Sequence, residues 1–556
     1  MSPSRPPRVA VVGGGISGLA AAHRLRTLLG PSAEITLLEQ RDRLGGVLRT
    51  VELAGAPFDV GAEAFLVRRP EMTDLLAELG LSASLTHPTP ATATIRAGGR
   101  TVGMPRGTLM GVPGRDAVLD GVLSDAGLRA VAAEPDRPLD WTAGSDTALG
   151  ALLRDRFGPE VVDRIADPLL GGVYAGRVDT LGLRATVPAL AAALDAGARS
   201  LTEAASVGMA SSGQKAGTLA AGPGAGSRSG AGGPGSGSAE PGERRATGVV
   251  GGPHGPGGAV PAAVQPAAAG PVFGAVRGGY REVVDALVDA AAVTLRTGVT
   301  VRELLRLPEA PGAEPPGARG RAGDPGEPGA DPRGPSGDPR GRGGGWRLVL
   351  GPVPAPEIVD VDAVLLAVPP PALRRLLEPV VPAAAGAAAR VALASSAVVG
   401  LAYRASDVAA TMPTTSGCLV AADEPLSVKG VTHASTKWAH LGTDGLVRIR
   451  ASIGRFGEEA TLQVEDDELV SRTRADLREL DGVDAEPVAV HVQRWGGGLP
   501  QYGVGHGEVV AALESAVAAE PGLAVAGAML HGVGVPACVG SARAAAERLA
   551  SALRPA

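Results

Sequence analysis

The chain has 556 residues and a formal net charge of −6 at pH 7, room for roughly two to four domains without the overall basic field that nucleic acid favours. Aromatic residues make up 2% of it, too few for a surface built on ring stacking. The two cysteines, Cys418 and Cys538, stand far apart without metal-ligand spacing, which argues against a stapled secreted scaffold and fits a reduced, cytoplasmic protein.

The first predicted element is a strand at residues 8–12, RVAVV, apolar and β-branched as a buried parallel strand is. It is too short for a signal peptide and runs straight into glycines. Gly13, Gly15 and Gly18 then form G-x-G-x-x-G, with Gly14, Ile16 and Ser17 between them, and LAAAHRLRTLL continues at helical period. The first glycine permits the tight turn, the second lets backbone approach a pyrophosphate, and the third lets helix pack on strand. The helix N-terminus then faces the phosphates. A second strand, AEITLLEQ, ends in Glu39, 21 residues after Gly18. A carboxylate there accepts a ribose 2′-OH and repels a 2′-phosphate. Together these features predict dinucleotide binding.

Next comes QRDRLGGVLRT, which carries Arg43, Gly45, Gly46 and Thr50. This block resembles the second fingerprint of amine-oxidase-like flavoproteins and favours FAD over NAD. Paired glycines let backbone pass close to a diphosphate, and an arginine offsets its charge. PFDVGAEAFL, residues 57–66, adds another glycine turn. Residues 105–190 read as largely helical.

Two segments of low complexity follow, 207–270 and 308–345. Within residues 221–260, Gly and Pro fill 20 of 40 positions, which buries too little apolar surface to offset ordering entropy. The second mixes Arg with Asp and Glu, a charge-balanced loop rather than an RNA-binding tail. Between them, RGGYREVVDALVDAAA is an amphipathic helix with Val283, Val284, Leu287, Val288 and Ala291 on one face. AVTLRTGVTVREL reads as strand, turn and strand, and VDAVLLAVPP (361–370) as a strand. Residues 382–403, mostly alanine with Arg390 inside, read as soluble helix then strand rather than a membrane span. At the chain end, GLAVAGAM is a strand and HGVGVPACVGSARAAAERLA a second glycine turn into a helix that starts near Pro536. Such an N-terminus would stabilise negative charge on a reduced flavin pyrimidine. Two glycine turns five hundred residues apart would thus hold two ends of one cofactor.

These blocks, in this order, resemble the protoporphyrinogen/coproporphyrinogen oxidase family within the flavin amine-oxidase superfamily. VVGGGISGLAAAHRL, RLGGVLRT, DVGAEAFLVRRPE, DPLLGGVYAGRVDTLGLRATVP, VFGAVRGGYREVVDAL, STKWAH, QRWGGGLPQYGVGH and the chain-end block carry the likeness. GGVYAG and LPQYGVGH separate it from monoamine oxidases and carotenoid desaturases. Ala62 and Ala537 depart from the proline and aspartate frequent there.

The resemblance implies an α/β fold: a discontinuous Rossmann-like FAD domain, an α+β substrate domain and a mostly helical third domain. The FAD domain would take 1–66, 271–307, 346–370 and 519–556. The substrate domain would take 67–104, 191–206 and 371–518, and the helical domain 105–190. One non-covalent FAD would touch the first turn (Gly13 to Gly18), Glu39 and Gln40, then Arg43, Gly45, Gly46 and Val47. Gly61, Ala62, Glu63 and Ala64 would follow, with Val301 at the adenine, Trp438, and Val533, Gly534 and Val535 at the chain end.

The implied activity is six-electron oxidation of a porphyrinogen to a porphyrin in haem biosynthesis. Each of three cycles passes a hydride to flavin N5, and dioxygen leaves as hydrogen peroxide. The macrocycle supplies its own NH protons, so no catalytic acid, base, nucleophile or metal is assigned. Substrate propionates need cations: Arg69, Lys437, Arg448 and Arg450 are the candidates, with Tyr174 lining the pocket. Trp495 divides between a flavin neighbour and plain core, and His506 reads as a structural turn residue. Coproporphyrinogen III oxidase is the leading reading and protoporphyrinogen IX oxidase the alternative. A flavin protein without turnover is a third reading, from another class. Peripheral membrane contact and docking of haem-pathway enzymes stay open. Lysine is scarce, at Lys215, Lys429 and Lys437 alone, while Arg, Ala and Gly abound. That bias suits GC-rich codon usage, so abundant Ala and Gly say little about structure.

Overall fold

The computed structural model describes residues 5–211, 271–308 and 344–554. Apart from their edges, both low-complexity segments lie outside the described residues. A helix, Leu201–Ser211, carries the chain into the first of them.

Arg8–Val12 (β1) is the middle of a five-stranded parallel sheet. Its neighbours are Glu34–Leu38 (β2), Thr294–Arg296 (β3), Ala363–Leu366 (β4) and Leu523–Val525 (β5), in the order β3-β2-β1-β4-β5. Alternation along β1 decides what each face meets. Val9 and Val11 face helices Ile16–Leu29 (α1), Tyr280–Ala291 (α2) and Val535–Leu553 (α3). Ala10 and Val12 face the antiparallel strands Val301–Arg306, Trp346–Leu350 and Glu357–Val361, with helices Pro370–Leu377, Pro382–Ala389 and His506–Ala518. Helices α1 and α3 lie against each other; Ala20, Ala21, Ala542, Ala545 and Ala546, all buried, let them approach closely.

A seven-stranded sheet forms the second layer. Its order is Ala489–Pro500, Leu393–Arg404, Leu446–Ile453, Val428–His433, Gly417–Val420, Ala93–Ala97 and Arg100–Gly103. Val399, Leu401 and Tyr403 pack under helix Asp466–Asp481. Val398 and Ala402 face the other way, with Phe58, Trp438 and Trp495.

The helical unit is built from Leu149–Phe157, Asp167–Tyr174, Pro188–Asp195 and Leu201–Ser211 around Leu153, Phe157, Leu170, Leu190 and Ala204. It opens with a hairpin, Arg106–Leu109 and Val112–Val118.

Packing moves several expected boundaries. Residues 191–206 share the helical core instead of covering the large sheet, because Leu194, Leu201 and Ala204 point into it. Helices Pro370–Leu377, Pro382–Ala389 and His506–Ala518, expected in the substrate domain, bury Leu376, Ala384 and Leu513 on the parallel sheet. Met72, Leu75 and Leu76 of Pro70–Glu78 do likewise on its other face. Among the described residues no helix is long and apolar enough to cross a membrane.

Candidate cofactor and substrate site

The first turn is shaped by two close contacts that a side chain would destroy. Gly13 has φ +107°, and a Cβ there would sit 2.3 Å from the Ala367 carbonyl oxygen. A Cβ on Gly18 would sit 1.8 Å from the Gly13 oxygen. A Cβ on Gly15 meets only the Gly46 Cα, at 3.9 Å, so the space above it is open to a ligand. The Gly14 N–H donates to Glu39 Oε2 at 2.7 Å, and the Arg41 N–H to Oε1 at 2.8 Å. Both oxygens are thereby fixed at the mouth of the turn, and Gln40 beside them is exposed.

The second glycine block folds back onto the first. The Gly45 N–H donates to the Gly14 oxygen at 2.8 Å. Gly45 (φ +94°) and Gly46 (φ +60°) adopt left-handed backbone that other residues resist. Arg43 donates to the Leu44 and Gly46 oxygens at 3.2 and 3.0 Å, and its guanidinium lies 5.7 Å from the Trp495 ring centroid. Val47 is 41% exposed at the rim.

The chain-end turn arrives beside them. Gly534 caps α3, Val535 is buried with α1, and Val533 packs on the helical unit. Ser17 at the start of α1 hydrogen-bonds Cys538 at the start of α3; burial nevertheless pushes that thiol up to about 11. Two helix N-termini thus open at one place. Their free N–H groups, the open space over Gly15 and the fixed Glu39 carboxylate fit a flavin dinucleotide.

The turn at Gly61 to Ala64 joins cofactor side to substrate side. A Cβ on Gly61 would stand 1.8 Å from the Val47 oxygen, and Trp495 donates to the Val60 oxygen at 2.8 Å. Arg450 Nη2 donates to the Gly61 oxygen at 2.8 Å. Glu63 accepts from Trp438 Nε1 at 2.5 Å and from Lys437 Nζ at 3.2 Å. Burial would raise the Glu63 carboxyl, but the Lys437 and Arg450 charges and the Trp438 bond outweigh it and hold it low. Nearby Asp59 is pushed up to about 7 by burial, against hydrogen bonds from Thr50 and the Tyr280 N–H. Trp438 is 1% exposed in the core. Val301 is also buried, and its carbonyl accepts from Arg375 at 2.9 Å.

Four cation candidates divide sharply. Arg69 Nη1 stands 3.4 Å from where a Cβ on Gly532 would be, beside the chain-end turn. Tyr174 is buried with its ring 5.4 Å from that of Tyr502, and burial pushes its phenol up to about 12. Lys437 is paired with Glu63. Arg448, expected to meet a propionate, is 0% exposed and cannot. Its guanidinium donates to the Leu53, Ala54 and Leu441 oxygens and to Asp444. Only Arg450 of this pair keeps a free donor, a buried Nε with no partner.

The chain matches the model of the flavin containing amine oxidoreductase family over residues 16–324 and 345–550. It is 38% identical to a Mycobacterium tuberculosis (strain ATCC 25618 / H37Rv) protein named coproporphyrinogen III oxidase, over 99% of this chain and 98% of that one. The namesake from Mycobacterium leprae (strain TN) is 39% identical over 97% of each. The chain belongs to the coproporphyrinogen III oxidase family of flavin containing amine oxidoreductases. A solved structure from Exiguobacterium sp. 255-15, named for protoporphyrinogen oxidation, superposes with a TM-score of 0.70 at 24% identity, covering 98% of this chain and 99% of that one. That likeness is one of fold.

Within this family frame the chain is a flavin oxidoreductase. Sequence reading missed two cations beside helix Asp167–Tyr174, Lys429 and Arg455. Lysine scarcity could have pointed to the first: both lysines among the described residues, Lys429 and Lys437, are part-buried. Arg455 carried no signal, being one arginine among many.

Proposed function

We propose that the chain binds one FAD non-covalently and oxidises coproporphyrinogen III to coproporphyrin III in haem biosynthesis. Six hydrogens leave the substrate while three dioxygen molecules become three of hydrogen peroxide. The observation that carries this reading is the convergence of the α1 and α3 N-termini, with Arg69 beside the chain-end turn and Arg450 on the Gly61 turn.

FAD, when bound, supplies the hydride acceptor. The chain's part is binding, orientation and electrostatics. The N–H groups of Gly15, Ile16 and Ser17 would hold the diphosphate and Glu39 a ribose hydroxyl. Gly45 and Gly46 give the backbone clearance, and Arg43 adds positive charge. The Val533 to Val535 turn would set a positive helix end against the flavin pyrimidine. Glu63, held ionised by Lys437 and Arg450, fixes the turn against which the ring would rest. Arg69 and Arg450 would hold propionates. Free, buried Cys418 and Cys538 suit a reducing compartment, in keeping with a cytoplasmic enzyme.

The deciding experiment compares purified protein on coproporphyrinogen III and protoporphyrinogen IX by the growth of porphyrin fluorescence. A higher kcat/KM on the first is expected. A higher value on protoporphyrinogen IX would make that the substrate, and turnover of neither would end the porphyrinogen reading.

A further inference from the structure

Two cations beside the seven-stranded sheet, Lys429 and Arg455, are not used by this mechanism. Lys429 lies on Val428–His433, whose register against Leu446–Ile453 shifts between Val428 and Gly430. Val428 and Val431 both enter the core beneath helix Asp466–Asp481. Three residues apart on a regular strand they would face opposite sides, so the bulge re-aims the residues between them. Lys429 Nζ donates to the Gly454 oxygen at 2.8 Å. It lies in the field of Arg450, Arg455, Asp167 and Glu458, beneath helix Asp167–Tyr174, which packs on this strand.

The charges there do not balance. Glu458 is engaged by Arg177. Asp167 Oδ2 stands 3.8 Å from Arg455 Nε and has no hydrogen-bond partner. Among the described residues neither Lys429 nor Arg450 forms an ion pair. Unpaired cations away from water are costly. Burial, with Arg455 and Arg450 adding to it, pulls the Lys429 ammonium down to about 7. The residue after Arg455, Phe456, donates to the oxygen of Ala175, next to Tyr174, at 2.8 Å. Along the strand, Lys429 is three residues from Thr432, which pairs with Arg450, a run of roughly 10 Å. It therefore lies away from the Gly61 turn.

We propose that Lys429, aimed inward by the bulge and supported by Arg450 and Arg455, forms a carboxylate-binding subsite that receives one propionate of the tetracarboxylate substrate. This rests on the porphyrinogen reading above.

The test uses full-length, flavin-loaded protein with Lys429→Met, Lys429→Gln and Lys429→Arg. Binding of coproporphyrin III is titrated by fluorescence, independently of turnover. Steady-state constants are then measured on both porphyrinogens. Loss of one charge-assisted contact predicts roughly tenfold weaker coproporphyrin III binding and a matching rise in KM for the Met and Gln variants. The kcat should be unchanged, the effect on protoporphyrinogen IX smaller, and Lys429→Arg should restore binding. Equal coproporphyrin III binding by wild type and either neutral variant overturns the subsite and leaves the proposed reaction standing. A wild type that binds coproporphyrin III through Lys429 but oxidises neither porphyrinogen would keep the subsite and end the reaction.

Discussion

Arg448 Nε donates to the Leu53 carbonyl at 3.0 Å, tying the large sheet to a hairpin turn 395 residues earlier in the chain. Its other nitrogens serve Ala54, Leu441 and Asp444. Removing Arg448 leaves the Leu53, Ala54 and Leu441 carbonyls without this donor while Asp444, 41% exposed, returns to water, at a cost of about 1–3 kcal/mol. Arg448→Ala should melt at a clearly lower temperature and keep the wild-type KM in its folded fraction. An unchanged melt with a raised KM would return Arg448 to the substrate site.

Two glycines of the first turn should fail in different ways. A valine at Gly15 has room in the protein but fills the open space over the turn. Gly15→Val should fold and lose its flavin absorbance. A methyl on Gly18 stands 1.8 Å from the Gly13 oxygen. Gly18→Ala should therefore disturb the helix–strand contact itself, seen as a lower melting temperature even in excess FAD. Full yellow colour in Gly15→Val would displace the cofactor from this turn.

Arg69 is half-buried beside Gly532, with Glu71 3.7 Å away. A shielded charge-assisted contact is worth on the order of 1.5–3 kcal/mol, roughly ten- to hundredfold in affinity. Arg69→Ala should raise KM for coproporphyrinogen III by that factor and by less for protoporphyrinogen IX, which has two propionates rather than four. Equal increases for both would make Arg69 a general cation of the rim.

His506 is 5% exposed, stacked on Tyr502 at 3.9 Å, and its Nε2 has no partner. Burial pulls it down to about 4, although the Leu530 and Met529 carbonyls pull upward. The unfolded chain therefore takes a proton near pH 6.5 that the folded chain refuses until about pH 4. Stability present above the first value is lost as pH falls through the second, by on the order of 3 kcal/mol. Denaturant midpoints at about pH 7.5 and 4.5 should fall further in wild type than in His506→Asn. The comparison of variants matters because Asp59, raised by burial to about 7, shifts stability the opposite way over the same window. Parallel loss in both proteins would place the acid sensitivity elsewhere.

What the sequence determined by itself was local. An apolar run, glycines at fixed spacing and a helical period predicted β1, its turn and α1, and the same logic predicted β5 and α3 at the other end. Those elements form because neighbouring residues restrict the backbone, and a left-handed or crowded position admits only glycine whatever lies far away. Convergence of the two turns was also foreseeable, since one cofactor would need both.

Tertiary structure alone decided which charges are free. Arg448 and Arg450 stand two apart on one strand and share a face, so their pattern treats them alike. The Leu53–Ala54 turn consumes the first, and the Gly61 turn leaves the second a spare donor. Lys429 is turned inward by a bulge no periodicity displays. Amphipathic helices such as His506–Ala518 announce a buried face but not which sheet covers it. A side chain's freedom depends on partners and desolvation that reach it across hundreds of residues, and these exist only after the chain has closed.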